Sequence, residues 1–172
     1  MEKILSKYVI IRARGDGMIR IMKIYPGMEI PLEHYSLSLG QMRFSGHPKY
    51  IINRKKADYQ PFVILKDNEV IGVFALETGS ILPVMGADAD AIYLRGLSIS
   101  SQYQGKGYFR QALRAIEEYC SSLNKSELYL MVNVKNDNGY YAFIKTGFVD
   151  RKRMVRQGFL NLKVLSKTIH NH

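Results

Sequence analysis

The sequence predicts an α/β chain of the α+β type with mixed strand directions, and three observations carry that prediction. Stretches rich in Ile, Val and Leu alternate with polar residues at a period of two, as strands with one covered face do. One stretch, with Phe109, Ala112, Leu113, Ile116, Tyr119, Cys120 and Leu123, repeats at spacings of three and four and marks an amphipathic helix. This helix joins two strand-like stretches, so the strand-helix-strand portion is right-handed and parallel where its strands are neighbours.

Lys7 to Arg12 and Met18 to Tyr25 read as strands rich in Ile, Val and Tyr, with Gly15-Asp16-Gly17 as the turn between them and Pro26-Gly27 closing the second. From Pro31 to Tyr59 the pattern is weak. Leu32, Tyr35, Leu37, Leu39, Met42 and Phe44 suggest short helices broken at Gly40 and at Gly46-His47-Pro48, in a segment assigned to substrate shaping. Phe62 to Lys66 and Val70 to Glu77 form a hairpin about Asp67-Asn68-Glu69. A looser stretch, Thr78 to Asp90, leads into a strand from Ile92 to Ile99. After the central helix, which ends over Ser121 to Asn124, Leu128 to Val134 alternates as a strand. Asn136 or Asn138 caps a short helix that stops at Thr146-Gly147. Two last strands, Phe148 to Val155 and Phe159 to Leu165, join across Gln157-Gly158.

The chain of 172 residues, 47% of them apolar, fits a single domain spanning 1–172, with the pattern weakest over residues 1–60. No apolar run reaches the roughly 18 residues of a membrane-spanning helix, so no membrane partner is expected. A single cysteine, Cys120, and an N-terminus without a long apolar stretch argue for a reducing, cytoplasmic setting without a secretory signal. Cys120 shares the buried stripe of the helix and reads as a core residue rather than a nucleophile. His34, His47, His170 and His172 have no cysteine partners at zinc spacing, and no metal is expected.

The formal net charge is +10, from 25 Lys and Arg against 15 Asp and Glu. That excess suits a polyanionic partner. Arg151, Lys152, Arg153, Arg156, Lys163 and Lys167 follow one another without an acidic residue, yet their alternation with apolar positions reads as the polar face of strands. A basic nucleic-acid module using these residues and Arg54-Lys55-Lys56 is therefore the disfavoured reading. Stacking of nucleic-acid bases on the twelve tyrosines is a minority alternative to ordinary packing.

The most informative run is Gln104-Gly105-Lys106-Gly107-Tyr108-Phe109, between the strand ending at Ile99 and the helix. A glycine-permissive turn feeding a helix exposes backbone N–H groups where the helix dipole is positive, and Lys106 adds charge of the same sign. A phosphate or pyrophosphate fits there. Lys106 is followed by Gly107-Tyr108 rather than Ser or Thr, against a magnesium-nucleotide hydrolase, and the third glycine of a dinucleotide fingerprint is missing. A plain strand-to-helix turn would use the same glycines.

The run resembles the Gln/Arg-x-x-Gly-x-Gly/Ala pyrophosphate loop of the GNAT superfamily of N-acetyltransferases, with Gln104 and Gly107 in place and Phe109 in the third position. A second segment, Asn136 to Phe148, resembles that family's closing motif, Asn-x-x-Ala-x-x-x-Tyr-x-Lys-x-Gly-Phe. Asn136, Lys145, Gly147 and Phe148 fall in register; Gly139 takes the Ala place and Phe143 the Tyr place. Two weak motifs in the right order make a strong one.

The resemblance implies a GNAT-like mixed, mostly antiparallel central sheet flanked by helices, with one parallel pair splayed around a coenzyme A site. It implies an acyltransferase that moves an acetyl group from acetyl-CoA to a primary amine of a small molecule or peptide by direct attack in a ternary complex. Backbone groups of Leu97, Ser98 and Ile99 would hold pantetheine; Gln104, Gly105, Lys106, Gly107, Tyr108 and Phe109 would surround the phosphates; Asn136 and Phe143 would border the same site. A homodimer is compatible with this reading. Phe143 removes the hydroxyl that in the family often protonates the leaving thiolate. Tyr140, one helical turn earlier, is a replacement acid, and water is another, since an alkyl thiol ionises near pH 8.5. A non-catalytic acyl-CoA sensor is the third reading of Phe143. For the proton of the attacking amine, Glu77 is the candidate base, against its reading as an exposed strand-end carboxylate.

Overall fold

The computed structural model describes residues 9–12 and 19–170. The expected turn Gly15-Asp16-Gly17, the strand ends Lys7 and Met18, and His172 lie outside them. The described strands are β1 (Val9–Arg12), β2 (Ile19–Lys23), β3 (Tyr59–Lys66), β4 (Glu69–Glu77), β5 (Ile92–Ile99), β6 (Glu127–Asn133), β7 (Val149–Gln157) and β8 (Leu160–Thr168). They form one sheet in the order β1-β2-β3-β4-β5-β6-β8-β7. β5 and β6 run parallel, while the other described neighbours are antiparallel. The helices are α1 (Leu39–Ser45), α2 (Pro48–Asn53), the single turn α3 (Ile81–Val84), α4 (Tyr108–Ser122) and α5 (Asp137–Ile144).

Period-two alternation decides which side of the sheet each residue covers. Phe62, Ile64 and Phe74 join a core with Leu113, Ile116 and Tyr119 of α4. Val63, Leu65, Val73 and Ala75 join a second core with Ile51 and Ile52 of α2. Between them these two cores bury both faces of the central strands. Stacked rings of Phe62 and Phe74, 4.7 Å apart, tie β3 to β4 under the helix. The buried stripe of α4 runs from Ala112 to Cys120 and gains Ala115. Leu123, expected on the stripe, is the C-cap instead and is 43% exposed.

The sequence reading placed the start of β3 at Phe62, and the structure moves it back to Tyr59, through Pro61. The carbonyl of Pro61 accepts the Ile24 amide at 3.0 Å, so the nitrogen of the same residue also faces β2, where it has no proton to give. The side chain of Gln60 supplies the missing donor: its Nε2 donates to the Ile24 carbonyl at 2.9 Å. The expected loop from Thr78 to Asp90 contains the turn α3.

In the C-terminal hairpin β8 lies against β6, and β7 is the sheet's outer strand. Arg151, Lys152, Arg153 and Arg156 are exposed along β7, where charge discourages a second chain from adding to the edge. Lys163 lies over the Tyr140 ring, and Lys167 binds Glu117 at 2.6 Å. No described helix is long and apolar enough to cross a membrane.

Candidate active site

The parallel pairing of β5 with β6 is brief: Ile92 faces Leu128, Tyr93 faces Tyr129, and the register stops there. β5 is then displaced by a bulge. Against β4, Ser98 faces Val73 and Arg95 faces Ala75, so Gly96 and Leu97 of β5 stand opposite Phe74 alone. Gly96 takes a φ of +62°, and a Cβ there would lie 2.3 Å from Ile51 Cδ1, so only glycine suits both the turn and the packing. Past the bulge the two strands diverge around a cleft of about 720 Å³.

The cleft collects most of the residues singled out in the sequence. Leu97, Ser98 and Ile99 line one wall, Leu130 to Asn133 line the other, and Gln104, Gly105, Gly107, Phe109, Asn136 and Phe143 border it. Gly105 (φ +71°) and Gly107 (φ +84°) turn the chain into α4, with nothing within 4 Å of either Cβ position. Gly107 is the N-cap of α4 and has no side-chain cap; the first amide of the helix head with a backbone partner is that of Gln111, bonded to the Gly107 carbonyl. The amides from Gly105 to Arg110 donate to no acceptor among the described residues. They form a row of donors at the positive end of a fifteen-residue helix.

Gln104 has a different task from its neighbours. Its Nε2 donates to the Ile99 carbonyl at 2.7 Å and its Oε1 accepts from Gln41 Nε2 at 2.7 Å, so the side chain ties the end of β5 to the loop and to α1. Lys106 and Tyr108 are not on the cleft wall: Lys106 Nζ sits 5.9 Å from the centre of the Tyr103 ring, and Tyr108 packs edge-on against Tyr103. Their contribution to the loop is charge and shape rather than side-chain contact with the cleft.

The three departures from the family's pattern, Phe109, Gly139 and Phe143, each fit their local packing. Phe109 meets Phe143 edge to face at 5.3 Å, and Phe143 meets Phe148 at 5.4 Å, so the two unexpected rings pack on each other. Asn136 Oδ1 accepts the Gly139 amide at 3.0 Å as the cap of α5, and its side chain folds over Gly139, 2.3 Å from where a Cβ would stand. An alanine there would push the cap aside.

The two residues expected to move protons lie elsewhere, and this corrects the sequence reading. Glu77 is fully buried, not an exposed strand-end carboxylate: one oxygen binds Lys56 Nζ, and Arg95 Nε donates to the other at 3.0 Å. With both oxygens held by cations and no place on the cleft wall, it is not poised to take a proton from an amine. The Tyr140 hydroxyl turns away from the cleft to donate to Asp150 at 3.1 Å. Burial, followed by that hydrogen bond, raises the Tyr140 pKa above its ordinary value. Cys120 is a core residue whose thiol is pushed up to about 12 by burial. No cluster of three or more potential metal ligands occurs among the described residues.

Sequence reasoning missed the wall given by α1. Gln41 and Phe44 line the cleft, as do Arg110, Lys145 and Gly96. The signals were present: Ser38 and Gln41 form a capping box, and a glycine inside a strand marks a bulge. Among the described residues no carboxylate lines the cleft, whereas Arg110 and Lys145 do, so the donor set fits an anionic ligand.

The comparisons with known proteins agree with this geometry. Residues 29–148 match the model of the Acetyltransferase (GNAT) family. An uncharacterized N-acetyltransferase, YbbJ, of Bacillus subtilis (strain 168) is 28% identical over 138 residues, covering 77% of this chain and 86% of that protein. The ribosomal-protein-S18-alanine N-acetyltransferase of Escherichia coli superposes with a TM-score of 0.62 at 14% identity, over 88% of this chain and 94% of that one. A GNAT family acetyltransferase from Elizabethkingia anophelis, solved with acetyl-CoA bound, gives a TM-score of 0.59 at 14% identity, over 87% and 97%. With its motifs, its splayed parallel pair and a family match over most of its length, the chain belongs to the acetyltransferase (GNAT) family and is an N-acetyltransferase.

Proposed function

We propose that this enzyme transfers an acetyl group from acetyl-CoA to a primary amine of a small molecule or peptide, by direct attack within a ternary complex. The observation that carries the reading is the row of amides from Gly105 to Arg110, which have no acceptor among the described residues, beside a cleft on whose walls those residues place no carboxylate. Acetyl-CoA supplies the acetyl group as an activated thioester.

In this reading the amides at the head of α4, with Arg110, hold the diphosphate, and Gln104 keeps that loop fixed to the end of β5. Backbone groups of Leu97, Ser98 and Ile99, freed from β6 by the divergence of the strands, take the pantetheine arm as an added strand. An N–H at the Gly96–Leu97 bulge is directed at the carbonyl oxygen, where negative charge grows during attack. The Phe109–Phe143 pair keeps water from one side of the reacting end. The amine nitrogen forms the new C–N bond as the C–S bond breaks. Its proton passes to water, and water returns one to the thiolate, which at an ordinary pKa near 8.5 is a tolerable leaving group.

Phe143 also supports a second reading, a sensor that binds acyl-CoA without turnover. One experiment separates the two: thermal unfolding with and without acetyl-CoA, followed by thiol release across a panel of amines and peptides. Transfer predicts stabilisation by acetyl-CoA and thiol release with at least one acceptor; stabilisation without release on any acceptor favours the sensor. Tyr140→Phe and Glu77→Gln are tested alongside. With both residues outside the cleft, Tyr140→Phe should keep kcat within about threefold, and any loss in Glu77→Gln should follow lost stability. A hundredfold fall in kcat for folded Tyr140→Phe would restore that hydroxyl to the chemistry.

A further inference from the structure

A second cavity, of about 330 Å³, opens at the other side of the β5 bulge. Ile51 divides it from the acetyl cleft: this residue lines the second cavity and also presses on Gly96, which lines the cleft. The cavity therefore adjoins the bulge at which transfer is proposed. Arg54 and Arg95 give it positive charge, and Tyr50 and Tyr59 give it aromatic walls.

The two guanidinium groups are only partly engaged. Arg95 donates through Nε to Glu77, and its ring contact is with Tyr93, 5.1 Å away. Its two outer nitrogens have no acceptor among the described residues. Arg54 lies 5.4 Å from the centre of the Tyr59 ring and has no carboxylate partner among those residues. Among the described residues Glu77 is the carboxylate paired with this cluster, and it is already shared between Arg95 and Lys56. Three cations against one buried anion leave an unbalanced positive site, half enclosed and adjoining Gly96. A planar guanidinium fork in such a place recognises carboxylate or phosphate oxygens, and it repels a polyamine.

We infer that the acceptor is an amine carrying an anionic oxygen group, a carboxylate or a phosphate ester, which Arg54 and Arg95 bind while the amine reaches past Ile51 to the bulge. This rests on the acetyltransferase reading above and narrows its substrate class. It also gives Glu77 a role: fixing the Arg95 fork rather than accepting a proton.

The test compares paired acceptors in the thiol-release assay: β-alanine with β-alaninamide, phosphoethanolamine with ethanolamine, and spermidine as the polycation. The expected result is a KM at least tenfold lower for an anionic member than for its uncharged counterpart, with spermidine the poorest. Preference within the first pair alone identifies carboxylate as the anion, and within the second alone phosphate. Arg54→Gln should raise the KM for the anionic acceptor about 10- to 100-fold, leave its uncharged counterpart unchanged, and preserve the stabilisation by acetyl-CoA. Arg54→Lys should recover part of the loss, and Arg95→Lys should weaken the same preference.

Equal KM values within both pairs, efficient turnover of spermidine, or an anion preference untouched in folded Arg54→Gln would overturn the inference while leaving the acetyltransferase reading in place. Weakened acetyl-CoA binding in Arg54→Gln, with acceptor KM unchanged, would reassign the cavity to the coenzyme and also overturn it. Absence of both acetyl-CoA stabilisation and thiol release would remove the two proposals together.

Discussion

Phe109 and Phe143 stand where the chain departs most plainly from its family's pattern, and their rings are in contact. Neither departure could be interpreted alone from sequence, because thirty-four positions separate them and only the fold joins α4 to α5. The glycines of the loop were more legible, since a positive φ leaves its trace in residue type. Gly107 offers the sharpest test of what that loop does. A methyl group there meets no atom within 4 Å, so Gly107→Ala changes backbone strain without creating a clash. The expected cost is about 1 kcal/mol in urea unfolding, the usual penalty for a left-handed alanine. The turn would relax toward negative φ and re-aim the amides at the head of α4, and acetyl-CoA affinity should fall about tenfold or more by calorimetry. An unchanged affinity in a destabilised Gly107→Ala protein would show that these amides do not bind the coenzyme.

The elements most legible in the sequence are the longer ones: α4, with its stripe at three and four, the alternating strand β6, and the apolar runs of β4 and β5. The pattern fails where elements are short. α1 and α2, of seven and six residues, hold too few turns for a period to emerge, and their caps were the only available markers. Burial of Glu77 was also beyond local reading, because its partners Lys56 and Arg95 lie 21 and 18 residues away and the sheet brings them together. At Pro61 the reading began a strand too late, since a proline normally interrupts a ladder and its repair here comes from a side chain. That repair is testable. Gln60→Leu keeps much of the bulk but leaves the Ile24 carbonyl without its donor, and should lower stability by about 1–2 kcal/mol. Hydrogen exchange should speed up at the Ile24 amide, which bonds to Pro61, ahead of amides in the middle of β3. Exchange unchanged at Ile24 would mean that the strand end is held by packing alone.

Across the whole molecule, the +10 charge is distributed over separate places: β7 carries an exposed basic edge, Arg110 and Lys145 line the cleft between β5 and β6, and Arg54 and Arg95 line the second cavity. The interior follows a different rule: apart from the ion-paired Glu77, its titratable groups are buried in their neutral forms, and this sets the alkaline limit of the fold. Burial raises the pKa of Tyr35 and Tyr93, brings Tyr59 to about 12, and brings Cys120 to about 12. The unfolded chain releases the same protons near pH 8.5 for Cys and 10 for Tyr. Between those values and the folded ones the native state holds more protons than the unfolded state, so stability must fall as pH rises. It should be steady with respect to these groups below about pH 8 and decline through pH 12, each group adding at most about 1.4 kcal/mol per pH unit. The lower part of the decline, from about pH 8.5 to 10, belongs mainly to Cys120, because unfolded tyrosines are still protonated there. Urea midpoints measured from pH 7.5 to 11 should show both limbs. In Cys120→Ala the first limb should flatten while the second, set by the tyrosines, stays. A wild-type midpoint that holds constant to pH 11 would mean that these side chains are far better solvated than their place in the core implies.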